Sequence, residues 1–195
     1  NIAWPGKYPD MEAIESEKRR APNNHAWMRE YLLRILPTEE QVILPEWIHY
    51  YEELPSINDN SYKFTWAGVD LAISEKSTAD YTAIVAAQVH GRRTERKIYI
   101  LPNPINRRMT FPDLVTFCQE YSRSVLRGGK LLIESVAFQA GLAQVLHKAG
   151  YHTEGVPVRG DKRSRLAMTS ALIQNGTILF PKNGAELLIQ QLVGY

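Results

Sequence analysis

The sequence predicts a mixed α/β domain, one sheet with an antiparallel start, parallel crossovers and helices on both faces. Three observations carry that expectation. The stretch YKFTWAGVDLAISEKSTADYTAIVAAQV, from Tyr62 to Val89, reads as two strands joined by a polar turn. A third strand, Lys97 to Leu101, follows a short basic turn, so the three form a hairpin meander. From Thr110 onward helical and extended patterns alternate, as βα crossovers require.

The first strand is predicted over Lys63 to Ile73 and ends in an apolar run that carries one acid, Asp70. Ser74 to Asp80 has no helical period and is rich in turn formers. Tyr81 to Val89 is dominated by Tyr, Thr, Ile, Val and Ala, as a central strand requires. In the turn Gly91 to Arg96, the cations Arg92, Arg93 and Arg96, with Lys97 after them, form either a solvated tip or a phosphate-contacting one. Pro102 to Arg108 reads as loop. A helix then starts at Thr110, with Pro112 in its first turn and Asp113 completing a capping-box variant. Leu114, Phe117, Cys118, Tyr121 and Val125 share one face, and Gly128–Gly129 ends the segment.

Lys130 to Glu134 is a short buried strand ending in an acid. Helix follows over Gln139 to Ala149, strand over Gly155 to Val158, and helix over Asp161 to Gln174 with Asp161 as its N-cap. Thr177 to Phe180 is a short strand, and a last helix begins near Asn183. Residues 1–60 differ in character, being charged and punctuated by proline, and are read as a helical linker or arm ahead of a domain over 61–195. Within that arm the pattern predicts short helices over Asp10 to Arg20, Asn24 to Leu36 and Pro45 to Leu54. Trp27 reads as a packing anchor, and neither His25 nor His49 as a metal ligand.

Net charge is +2, so nucleic-acid affinity must come from local patches rather than from the whole molecule. A single cysteine, Cys118, excludes an internal disulfide and a cysteine-based zinc cluster, and its apolar neighbours make it a core thiol. No apolar run reaches the length of a membrane span. The start at Asn1 suggests a piece of a longer chain or a processed or trimmed product, and no GxxxxGK[ST] phosphate loop is present.

An aspartate inside an apolar strand is costly unless it meets water, a cation or a catalytic task. Asp70 therefore stands at a wet strand end, pairs with a basic side chain, or holds a metal. The order of elements is that of a ribonuclease H-like domain, in which the first strand lies beside the strand after the first helix. That arrangement sets Asp70 and Glu134 on neighbouring strands about 5 Å apart. Two carboxylates so close repel unless a divalent cation lies between them, and hard oxygen donors suit Mg²⁺ or Mn²⁺. Arg159, Lys162, Arg163 and Arg165 gather at one helix start, Lys162 and Arg165 sharing a face of an exposed first turn, either as a solvated terminus or as a track for DNA phosphates.

The runs GVDLAISEKSTADYTAIV, LLIESVAFQAGLAQVL and VRGDKRSRLAMTSALIQNGTILFP, in this order, resemble the nuclease domain of the large terminase subunit of tailed bacteriophages. The preceding WMREYLLRILP and ILPEWIHYYEELP resemble the connector ahead of that domain, so the likeness runs from about Trp27 onward. The resemblance implies a ribonuclease H-like endonuclease that cuts concatemeric double-stranded DNA with Mg²⁺ or Mn²⁺, two ions when the site is complete. It implies Asp70 as the first-strand acid, Glu134 as the second and Asp80 as an accessory acid ahead of the second strand. The family's third acid lies after the last helix, and no counterpart is found up to Tyr195; Glu186 reads as solvent-facing. Implied partners are an upstream ATPase domain, the small terminase subunit and the portal protein, in the host bacterial cytoplasm at the procapsid. Two other classes are compatible with the pattern: a non-catalytic DNA-binding or motor-docking module, and an actin-like ATPase or kinase-type domain. The last is disfavoured because Leu71, Ala72 and Ile73, not a glycine-rich turn, follow Asp70.

Overall fold

The computed structural model describes residues 10–20, 41–71, 81–134, 139–157 and 160–195. The chain divides into two units, Asn1–Gln41 with Gly194, and Val42–Val193 with Tyr195. In the first, helix α1 (Met11–Arg20) starts where the Asp10 carboxylate accepts the Ala13 N–H at 2.8 Å. The segment Asn24 to Leu36, with Trp27 and His25, lies outside the described residues.

The second unit is built on one eight-stranded sheet. Its strands are β1 (Tyr50–Tyr51), β2 (Tyr62–Leu71), β3 (Tyr81–His90), β4 (Lys97–Ile100), β5 (Ile105–Arg108), β6 (Leu131–Glu134), β7 (Thr153–Val156) and β8 (Ile178–Pro181). The order across the sheet is β1-β8-β4-β3-β2-β6-β7, and β5 pairs with the first half of β3. β2, β3 and β4 form the expected antiparallel meander. β6 adds parallel to β2, and β7 parallel to β6. The helices are α2 (Phe111–Ser124), α3 (Gln139–Lys148), α4 (Lys162–Gln174) and α5 (Glu186–Val193).

Alternation along β2 decides which side of the sheet is dry. Thr65, Ala67, Val69 and Leu71 are buried, whereas Gly68 and Asp70 are exposed. The buried set meets Ile84 and Ala86 of β3, Leu131 and Ile133 of β6, and Leu114, Cys118, Leu142 and Leu146 from α2 and α3. Full burial of each large aliphatic side chain contributes about 1.5–3 kcal/mol. Cys118 is wholly buried, and burial pushes its thiol pKa up to about 12, as befits a core thiol. A second cluster, Ile43, Ile48, Ile173, Phe180 and Val193 with Ile100 and Leu188, joins β4 and β8 to α4 and α5.

The caps match expectation. Thr110 accepts the Asp113 N–H and donates its hydroxyl to that carboxylate at 2.6 Å, opening α2. Asp161 accepts the Ser164 N–H at 2.9 Å, opening α4, and these bonds hold its pKa below the usual carboxylate value. Three expectations are corrected. Pro45–Leu54 is not a helix: a single 3₁₀ turn, Pro45–Trp47, leads into β1, whose tyrosines pair with Phe180 and Pro181 of β8. Pro102–Arg108 is not all loop, since Ile105–Arg108 forms β5. β7 begins at Thr153, ahead of the predicted Gly155, because its register runs Leu131↔Thr153 to Glu134↔Val156.

Candidate active site

The parallel pairing of β2 with β6 runs Ala67↔Leu131, Gly68↔Leu132, Val69↔Ile133. Asp70 and Glu134 each follow the last pair by one residue, so they stand side by side on strands about 4.8 Å apart. Their neighbours Val69 and Ile133 are buried on the dry face, so both acids occupy the opposite face, shared with exposed Gly68. Asp70 is exposed and Glu134 half-buried. The sheet therefore presents two carboxylates at the C-terminal ends of adjacent strands.

A cation already meets one of these acids. Arg165, in the first turn of α4, donates from Nη1 to the Glu134 carboxylate at 2.8 Å. Its Nε is buried without a hydrogen-bond partner. The expectation that Lys162 and Arg165 stand together in an exposed first turn is thus corrected for Arg165, which is half-buried against β6. Lys162 and Arg163 are exposed at the same helix start. Asp80 and Arg159 lie outside the described residues.

The floor of the site continues onto β3. Ala83 is the register partner of Asp70, and Ala83 and Val85 line a cleft of about 220 Å³ walled by Ile105, Asn106 and α5. Glu186 lies on its α5 wall, exposed, accepting the Gly184 N–H at 2.9 Å, which lowers its pKa. One step beyond the Ala83 row, Tyr81 pairs with Arg108, whose guanidinium lies 4.9 Å from the Tyr81 ring centre. Arg108 therefore adds a cation near the Asp70 end of the sheet. Sequence reading missed it because a segment with one apolar residue, INRR, carries no strand signal of its own. His49 Nε2 lies 3.0 Å from the Gln174 carbonyl oxygen.

Among the described residues no three His, Cys, Asp or Glu side chains gather as a metal site. The donors that do gather, two carboxylates at one level of the sheet, fit a hard divalent cation as part of its ligand set.

No protein-family model matches the chain, and no curated protein sequence does. Solved structures do. The magnesium-bound large terminase nuclease of the thermophilic phage G20c aligns over 80% of this chain and 81% of its own, with TM-score 0.56 and 15% identity. The fold is that of a terminase nuclease domain. The manganese-soaked, inhibitor-bound terminase nuclease domain of human cytomegalovirus aligns over 77% of this chain and 84% of its own, with TM-score 0.54 and 12% identity. The large terminase of another thermophilic bacteriophage covers 95% of this chain at TM-score 0.57 and 10% identity, and this chain spans 45% of that protein. The ribonuclease H-like terminase nuclease fold thus accounts for the mixed sheet on which Asp70 and Glu134 sit.

Proposed function

We propose that this chain is the nuclease domain of a phage DNA-packaging terminase, an endonuclease that hydrolyses double-stranded DNA with Mg²⁺ or Mn²⁺. The observation that carries the proposal is the placement of Asp70 and Glu134 side by side, on one face, at the C-terminal ends of β2 and β6. Support comes from the terminase nuclease fold and from relatives whose structures hold magnesium, zinc, cobalt or manganese.

When bound, a divalent cation at these carboxylates would lower the pKa of an attacking water and neutralise the leaving oxygen. The chain's own residues set the geometry. Asp70 and Glu134 supply the oxygen donors from rigid strands. Arg165 pairs with the Glu134 carboxylate until a cation competes for it, and adds positive charge where a scissile phosphate arrives. Lys162 and Arg163, with Arg159, are assigned to DNA phosphates, which they would hold without reading sequence. Asp80 is assigned an accessory role. The resemblance puts a third acid after α5, and with it a second ion. The upstream ATPase domain, the small terminase subunit and the portal protein belong to the same reading, as does action in the host bacterial cytoplasm.

Cleavage of supercoiled plasmid by the full-length protein tests the proposal. Asp70→Ala and Glu134→Ala abolish Mn²⁺-dependent cutting with circular dichroism unchanged, and Asp80→Ala does less. Undiminished cutting by Asp70→Ala removes the assignment. Absence of cutting by the unmodified protein, with DNA binding retained, favours the non-catalytic DNA-binding module, for which Arg165 already neutralises Glu134.

A further inference from the structure

The open face of β2 does not end at the acids. Toward the N-terminal end of the same strand it carries Trp66 and Phe64, which alternate in phase with Gly68 and Asp70. The two rings stack, with centroids 4.0 Å apart and planes inclined by 22°. The Lys130 ammonium lies 4.8 Å from the centre of the Trp66 ring and also bonds Glu154 at 2.6 Å. Both rings line a cleft of about 330 Å³, together with Lys63, Arg127, Lys130 and His152. A stacked aromatic pair, left half-exposed on a sheet and ringed by cations, is poorly explained as core. Core aromatics of this chain, such as Tyr121, are instead covered by apolar neighbours.

We propose that this cleft is a second DNA-binding site, which takes an unpaired base on the Phe64–Trp66 stack and the adjoining phosphates on Lys63 and Arg127. The proposal rests on the nuclease reading for its polymer, and on the geometry of the cleft for its place. An occupant must be anionic to match the cations and must offer flat π-faces to match the rings; a nucleic-acid strand does both. Trp66 and Phe64 precede Asp70 by four and six strand residues, so the site lies about 13–20 Å from the acids along one open face. That span corresponds to about four to six base steps. A strand end, rather than intact duplex, fits the rings, since paired bases hide their faces. The site would hold an end or frayed strand while the acids act several nucleotides away.

The test is equilibrium binding of the full-length protein to two oligonucleotides in EDTA. One is a blunt duplex; the other is the same duplex with a six-nucleotide single-stranded overhang. The overhang should tighten binding by about tenfold, the scale of one stacked base. Phe64→Leu, which keeps an apolar side chain, should erase that difference, and Phe64→Tyr should restore it. Lys63→Gln with Arg127→Gln should lower the salt slope for the overhang by about 1.4, about 0.7 per lost single-strand phosphate contact. Equal affinity for both oligonucleotides, or a preference for the overhang that survives Phe64→Leu, overturns the proposal. Should Phe64→Leu not fold, the salt slope of the lysine–arginine variant decides alone, and an unchanged slope overturns it. Plasmid cutting distinguishes this from failure of the nuclease reading: cutting without an overhang preference removes only the second site, and an overhang preference without cutting removes only the nuclease.

Discussion

Gly129 joins α2 to the strand that carries Glu134, and it is the sharpest steric constraint on the site. A Cβ built there would lie 1.7 Å from the Thr65 carbonyl oxygen, 2.9 Å from its carbon and 3.0 Å from the Leu126 oxygen. Thr65 is in β2, and the next residue after Gly129, Lys130, accepts the Ala67 N–H at 3.0 Å. To reach even 3.0 Å from the Thr65 oxygen, the two backbones must part by more than an ångström (3.0 − 1.7 = 1.3 Å). Gly129→Ala therefore combines overpacking with loss of that first strand hydrogen bond, about 3–4 kcal/mol in all. For a chain of this size that lowers Tm by about 6–16 °C. Gly128 is the internal control. Its φ of +86° is left-handed, but a Cβ there meets nothing within 4 Å. Gly128→Ala should thus cost only backbone strain, about 1–2 kcal/mol, or about 2–8 °C. Thermal melts followed by circular dichroism compare the two. If Gly129→Ala melts no lower than Gly128→Ala, the close approach of β6 to β2, on which the acid pair depends, is wrong.

Arg165→Ala removes the cation on Glu134; because both partners are partly exposed, the expected gain in Mn²⁺ affinity is at most about fivefold, about 1 kcal/mol, read by calorimetry. Weaker Mn²⁺ binding by that variant would instead make Arg165 a support that positions Glu134. Lys162→Ala should lower the salt slope of duplex binding by about 0.9, with affinity falling alike for unrelated sequences. His90 is 4% exposed, with Nδ1 2.8 Å from the Ser61 hydroxyl, and burial lowers its pKa below 6.5, against the opposing pull of Asp59. The unfolded chain therefore binds its proton first as pH falls, so stability is complete above about 6.5 and declines below it. His90→Gln should flatten the fall in Tm between about pH 7.5 and 5.5; an unchanged profile assigns the acid sensitivity elsewhere.

What the sequence revealed was what local chemistry encodes. Thr110 with Asp113 and the N-cap Asp161 were both legible, because a cap's partner lies within one turn; the structure adds the Ser164 N–H as the group Asp161 caps. The level at which Asp70 meets Glu134 was legible because two apolar strands each end in an acid and topology makes them neighbours. β1 was not legible: Tyr50 and Tyr51 look like a helix face in PEWIHYYEEL, and only pairing with Phe180 and Pro181, far along the chain, makes them a strand. β5 fails for the same reason, since INRR gains its extended form from the edge of β3. Helical spacing placed Arg165 beside Lys162, but could not show that this turn of α4 lies over the end of β6. Phe64 and Trp66 fall inside the predicted first strand, and nothing local in the sequence marks them, since only the assembled sheet leaves their face half-exposed.

The proposed nuclease site requires Asp70 and Glu134 to hold a divalent cation together. Mn²⁺ binding to the full-length protein, followed by electron paramagnetic resonance, tests it without relying on cleavage. Saturable binding by the unmodified protein should fall at least tenfold in both Asp70→Asn and Glu134→Gln, with neither variant losing its fold. Equal binding by the unmodified protein and by either variant would contradict a site shared between β2 and β6.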